Sequence, residues 1–180
     1  MGKCLEIEPV LKKHMAIMDK YDPKKQIGLM VDEWGTWWDE EPGTVRGHLY
    51  QQNTLRDAFV ASLTDRIKMT NIAQIANVLQ SMILTKDDKM VLTPTYHVFE
   101  MYKVHQDATY LPLELNCERK IVRDDRIVPM VSATASRDAN GLIHISLSNV
   151  DLQESQEIEL NLGEVKAKSV TGRILTANNI

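Results

Sequence analysis

Inward-type positions fall at Val10, Leu11, His14 or Met15, Ile17, Met18 and Tyr21. That three-to-four-residue spacing gives a helix one buried stripe and predicts a helix from Glu8 to Tyr21. Pro9 suits its first turn, and Asp22-Pro23-Lys24-Lys25 closes it. Ile27-Gly28-Leu29-Met30-Val31 is then apolar at both parities, the signature of a parallel strand covered on both faces by helices. Helix, short turn and buried strand make one piece of an α/β repeat. Along that strand Ile27, Leu29, Val31 and Glu33 share one face, while Met30 and Asp32 share the other. A branched apolar series fits a packed barrel interior, so parity places Glu33 at the mouth and makes Asp32 a supporting residue.

Further on, Asp39 to Gly43 reads as a loop, and Asn53 to Leu63 as a second helix with Leu55, Ala58, Phe59 and Leu63 inward. Ile67 to Asn71 alternates weakly and predicts a short strand, followed by an apolar and amide-rich segment, Ile72 to Met82. Thr85 to Lys89 is a turn, and Thr93-Pro94 opens a third helix running to about His105, with Val98, Met101 and Tyr102 inward. After Gln106-Asp107 the period falls to two. Four strands are expected, carrying Leu111 to Cys117, Val131 to Ala135, Ile143 to Leu147 and Ile158 to Leu162 on their inward faces. Asp138-Ala139-Asn140-Gly141 joins the second to the third, because Asn-Gly tolerates positive φ. The chain therefore divides into an α/β part, residues 1–106, and an antiparallel sheet part, residues 107–180, with one face buried.

Composition adds limits. A length of 180 residues, 43% hydrophobic and 26% charged, suits one globular domain or two small ones. A net charge of -4 gives no broad basic field for nucleic acid. Cys4 and Cys117 form no Cys-x-x-Cys unit, and a disulfide between them needs the fold to bring them together. No apolar run approaches the roughly 18 to 20 residues of a membrane helix, and no signal-peptide core opens the chain. A soluble, cytoplasmic protein without a membrane partner is expected. His14, His48, His97, His105 and His144 include no His-x-x-x-His pair, so neither a metal nor another cofactor is expected. His97 and His105 read as helix-face residues, and Tyr96, Phe99 and Tyr102 as packing.

The densest chemistry lies at Asp32-Glu33-Trp34-Gly35-Thr36-Trp37-Trp38, which holds all three tryptophans of the chain. A strand ending in a carboxylate and opening into an aromatic loop suits a sugar-cleaving barrel, since a sugar ring offers an apolar face to stack on and an anomeric carbon to attack. Solvated acids beside indoles that plug a barrel rim give the same pattern, and spacing leaves both readings open.

Val31 to Trp37, Tyr50-Gln51-Gln52-Asn53-Thr54-Leu55-Arg56-Asp57-Ala58, Asn71-Ile72-Ala73-Gln74 with Asn77-Val78-Leu79, and Leu92-Thr93-Pro94-Thr95-Tyr96-His97-Val98-Phe99 together resemble the C-terminal part of a family 51 α-L-arabinofuranosidase. The resemblance runs over nearly the whole chain. It implies the last two repeats of a (β/α)8 TIM barrel followed by an antiparallel β-sandwich of jelly-roll type. It also implies release of terminal, non-reducing α-L-arabinofuranosyl residues from arabinan, arabinoxylan or arabino-oligosaccharides with retention of configuration, and a homo-oligomeric parent. Glu33 matches the family's nucleophile at the end of the seventh strand. Trp37 matches an aromatic residue lining the sugar subsite, and Gln74 an amide that hydrogen-bonds the arabinose.

Three departures qualify this. Retaining hydrolysis needs a second carboxyl group, in the family a glutamate after an asparagine, and no Asn-Glu dipeptide occurs in the chain. Between Leu63 and Asp65 the family has about eight more helical residues. The chain also ends at Ile180, before a closing part of the sandwich found in relatives. The expectation is a fragment that carries the nucleophile without its acid and is inactive alone. The alternative is a non-catalytic module whose Leu111 to Ile180 sheet binds sugar or contacts a subunit, although its four strands show no aromatic row.

Overall fold

The computed structural model describes residues 6–34, 67–72, 75–78, 81–123, 126–151 and 153–177, with the backbone alone at 33, 34, 67–72, 123 and 126. Helix α1, Ile7–Tyr21, forms where the apolar spacing places it. Its last helical bond runs from the Asp22 N–H to the Met18 carbonyl at 2.7 Å, after which Pro23 has no N–H to continue the ladder and Lys25 turns away at φ 54°. The Asp22 carboxylate accepts from the Ile27 N–H at 2.7 Å, which ties the turn to the strand that follows. Ile7, Leu11, Met15 and Met18 form the half-covered face of α1. Val10, Ile17 and Tyr21, expected inward, are 50%, 58% and 76% exposed. The expected stripe is thus half-covered at Leu11, Met15 and Met18 and open at Val10, Ile17 and Tyr21.

Strand β1, Leu29–Trp34, starts two residues later than expected and runs three further. Leu29 and Val31 are half-buried, whereas Met30 is 52% exposed and Asp32 exposed. The two faces therefore differ, instead of both being buried. β1 pairs in parallel with β2, Ile67–Ile72, the strand expected near Ile67 to Asn71. A parallel pair needs a long connection between its strands, and residues 35–66 separate the two in the sequence. The second expected helix, Asn53 to Leu63, falls within that stretch and lies outside the described residues.

An antiparallel hairpin follows that the alternation did not reveal: β3, Ile83–Lys86, and β4, Lys89–Leu92, with Lys86 opposite Lys89. The expected Thr85 to Lys89 turn narrows to Asp87-Asp88, with Asp87 at φ 53°. Helix α2, Pro94–Tyr102, begins at an N-cap threonine, Thr93, with Pro94 at its first position, and ends in a 3₁₀ turn, Lys103–His105. The single helix expected to reach His105 therefore tightens in its last turn. Thr93 also donates its hydroxyl to the Ser81 carbonyl at 2.7 Å and its backbone N–H to the Met82 carbonyl at 3.0 Å. Those bonds lock the start of α2 onto the β3 side of the hairpin.

From Thr109 onward the described sheets are antiparallel. β5, Thr109–Leu111, pairs with β8, Val131–Arg137, and β8 with β9, Ile143–Asn149. A separate hairpin joins β6, Lys120–Arg123, to β7, Arg126–Pro129. The β8–β9 hairpin is the one expected, with Gly141 at φ 82° and the Asp138 carboxylate accepting from the Asn140 and Leu142 N–H groups at 2.8 and 2.9 Å.

Two expected strands do not form ladders. β5 ends at Leu111 because Pro112 has no N–H to continue the pairing, and residues 112–119 run without a sheet partner. Residues 154–162 are likewise outside any ladder, although Ile158 packs on the small core of Val128, Met130, Val131 and Val150 with Cys117. Cys117 is a free thiol that donates to the Arg119 carbonyl at 3.3 Å. On the β6 side, Arg119 pairs with Glu154 and Asp151.

Candidate functional site

The C-terminal ends of β1 and β2 lie side by side, with Trp34 opposite Ile72. Glu33 is the next-to-last residue of β1, just past the end of the apolar series. Trp37, three residues past that strand, and Gln74, two past β2, fall outside the described residues.

The strand register adds a feature that sequence reasoning missed. Between the matched pairs Val31–Thr70 and Trp34–Ile72, β1 has two residues, Asp32 and Glu33, where β2 has one, Asn71. The pleat is interrupted at the carboxylate pair itself. An irregularity of that kind re-aims the residues that follow, so the alternation that groups Glu33 with Leu29 and Val31 does not carry through to it unchanged. Hydrophobic pattern encodes no signal for such a bulge.

A second constellation joins the end of α2 to the antiparallel sheet. His105 Nδ1 lies 2.7 Å from the Ser136 hydroxyl and Nε2 lies 2.8 Å from the Ser146 hydroxyl. His144 Nε2 reaches the Asp138 carboxylate at 3.0 Å, and the two imidazole centroids are 6.5 Å apart, edge to face. Burial, and secondarily the charge of His144, push His105 below its ordinary pKa. Asp138 is held below the ordinary carboxylate value chiefly by its bond to His144, against a smaller opposing effect of burial. The sequence placed His105 on a helix face and His144 on the polar side of a strand. The partners lie 31 and 41 positions away from His105, and no local spacing announces them.

In the last turn of α2, Glu100 accepts from Arg173 at 2.7 Å, which ties the C-terminal segment to the helix and lowers the Glu100 carboxyl. His97, on α2 as expected, meets its sequence neighbour Tyr96 edge to face at 5.5 Å. Among the described residues no His, Cys, Asp and Glu cluster could hold a metal ion, and no helix is long and apolar enough to cross a membrane.

A parallel strand pair with a carboxylate near its C-terminal end, running into antiparallel β-sheets, defines the class of chain. The family model for the α-L-arabinofuranosidase C-terminal domain matches residues 32–180, and the chain belongs to that family. It is 71% identical over 188 aligned positions to an intracellular exo-α-L-arabinofuranosidase of Bacteroides ovatus, a match that takes in 100% of this chain and 37% of that protein. Because 188 aligned positions accommodate 180 residues, at least eight positions of the relative have no counterpart here. The crystal structure of the GH51 arabinofuranosidase from Xanthomonas axonopodis pv. citri superimposes with a TM-score of 0.75 at 52% identity, covering 82% of this chain and 31% of that one. The chain thus spans about a third of the length of the relatives it matches.

Proposed function

We propose that the chain forms the C-terminal part of a retaining exo-α-L-arabinofuranosidase, with Glu33 as nucleophile. The observation that carries this reading is the place of Glu33 at the C-terminal end of a parallel strand, in a chain that belongs to the arabinofuranosidase family. Active sites of (β/α)8 barrels gather at that end of the strands, because the loops that follow are free to vary without disturbing the core. β1 and β2 are in this reading the last two barrel strands, and the segment from residue 107 onward contributes a β-sandwich.

Glu33 attacks the anomeric carbon of a terminal L-arabinofuranose, and a covalent glycosyl-enzyme forms as the aglycone leaves. In this reading Trp37 lines the sugar subsite and Gln74 hydrogen-bonds the arabinose. The leaving oxygen needs a proton from a second carboxyl group about 5 to 5.5 Å from the nucleophile. No Asn-Glu pair in this chain supplies it. The general acid therefore belongs to the portion of the relatives that this chain does not match. The 180 residues alone bind and turn over substrate poorly or not at all, since loss of general acid–base catalysis costs roughly 10² to 10⁴-fold before loss of the other subsites is counted.

The substrates are arabinan, arabinoxylan or arabino-oligosaccharides bearing terminal arabinofuranose, acted on inside the cell in keeping with the name of the Bacteroides ovatus relative. The test compares the chain alone with the same chain fused behind the unmatched part of that relative, on arabino-oligosaccharide. Release of arabinose by the fusion, lost on Glu33→Gln and absent from the chain alone, is expected. Arabinose release by the isolated chain that Glu33→Gln abolishes overturns the assignment of the acid to the missing portion. A Glu33→Gln fusion as active as its parent overturns the nucleophile.

A further inference from the structure

We propose that His105 is a pH-responsive latch, holding the turn that leaves α2 against the polar face of β8–β9 and loosening that seam on acidification. In the β8–β9 ladder Ser136 stands opposite His144, and Ser146 opposite Thr134, so alternation brings Ser132, Thr134, Ser136, His144, Ser146 and Ser148 onto one face. A row of small hydroxyls on a strand face ordinarily meets water. Here Ser136 is only 4% exposed, and the other five are half-buried. The 3₁₀ turn Lys103–His105 packs on β8 at this place, and His105 is the side chain that reaches across to it.

Both nitrogens of His105 are committed to serine hydroxyls, at 2.7 and 2.8 Å. A neutral imidazole donates from one nitrogen and accepts on the other, so one serine accepts and the other donates. Protonation turns both nitrogens into donors. The serine that had been donating must then rotate its proton away, and a buried hydroxyl without an acceptor is costly. Among the described residues no carboxylate is bonded to His105 to meet the new charge. The ionisable groups around it are Tyr102, whose ring lies 5.6 Å away, and Lys103 on its own segment. On the sheet side they are His144, and Tyr110 as the ladder partner of Ser136. Asp138, the nearby acid, is already bonded to His144. Lys103 is itself paired with Glu100, which also holds Arg173. Burial and the His144 charge both disfavour imidazolium at position 105.

His105 in the folded chain binds its proton less readily than in the unfolded chain, so the seam is at full strength above the free-histidine range near 6.5 and weakens as pH falls below it. Because β5 begins four residues after His105 and pairs with β8, loosening at His105 spreads to Thr109–Leu111. The latch couples the last described helix to the sheet and is independent of the chemistry assigned to Glu33.

The experiment measures amide hydrogen-exchange protection factors at pH 7.5 and 5.5, with the imidazole titrations followed by NMR in the same protein. In the wild type, protection across 103–111 and 132–148 is expected to fall between the two pH values, by at most about tenfold for a single histidine, while His105 titrates below 6.5. His105→Gln keeps a hydrogen-bonding side chain and cannot titrate, so its protection should stay level over that range. His144→Gln leaves the two serine contacts intact and removes the neighbouring charge, so His105 should titrate higher and the pH dependence shrink. Should His105→Gln fail to fold, the His144→Gln result decides. Wild-type protection that does not change with pH, a His105→Gln variant as pH-sensitive as the wild type, or a His105 titration unmoved by His144→Gln, overturns the latch.

Discussion

Thr93 offers the sharpest test of how the α/β part is held. Its side-chain oxygen accepts from the Tyr96 N–H at 3.4 Å as the N-cap of α2, and its hydroxyl donates to the Ser81 carbonyl at 2.7 Å. The residue is 2% exposed and Ser81 is fully buried, so neither bond can be replaced by water. Thr93→Val preserves shape and removes both. Loss of an N-cap costs about 1 kcal/mol, and a buried carbonyl left without its donor costs about 1 to 3 kcal/mol, so a destabilisation of about 2 to 4 kcal/mol is expected. Thr93→Ser keeps both bonds and loses one buried methyl, for about 1 kcal/mol. With a urea slope of about 2 kcal/mol/M, the valine variant should unfold about 1 to 2 M earlier than the wild type, and the serine variant about 0.5 M earlier. Equilibrium unfolding followed by circular dichroism reads this directly. A valine variant as stable as the serine variant would show that the Thr93 hydroxyl is not the fastener between α2 and the β3–β4 hairpin.

Other consequences are open to simpler measurements. Gly141 sits at φ 82° with open space for 4 Å around the place a Cβ would occupy, so Gly141→Ala should cost about 1 kcal/mol through backbone strain alone, read as a lowered melting temperature without a change in the β8–β9 register. Arg173 lowers the Glu100 carboxyl, so its contribution is present above the ordinary value of 4.5 and is lost as pH falls. Arg173→Gln should move the Glu100 carboxyl resonance back towards 4.5 in an NMR titration, with little effect on stability at neutral pH.

How far sequence reaches depends on what each element needs from its neighbours. Helix α1 and the β8–β9 hairpin were legible because their signals are local: a 3.6-residue spacing in one, an Asn-Gly turn between alternating strands in the other. Alternation over-read residues 111–117 and 158–162, since any extended segment that lays one side on apolar neighbours alternates, whether or not a ladder forms. Ile158 does lie on the core, yet pairs with no strand. The β6–β7 hairpin was hidden by its brevity, two four-residue strands around charged residues. At the site, the position of Glu33 at a strand end was readable, whereas the bulge at Asp32–Glu33 depends on the partner strand. The His105 cluster needed three separate elements to meet, and no window of sequence contains them.

The reading of Glu33 as nucleophile is tested most directly by trapping. The chain, fused behind the unmatched part of the Bacteroides ovatus relative, is treated with an activated arabinofuranoside whose 2-fluorine slows breakdown of a covalent intermediate, and is then digested and analysed by mass spectrometry. One added fluoro-arabinosyl group is expected on the peptide holding Glu33, absent after Glu33→Gln. A label on any other residue, or inactivation without a covalent adduct, would contradict that role.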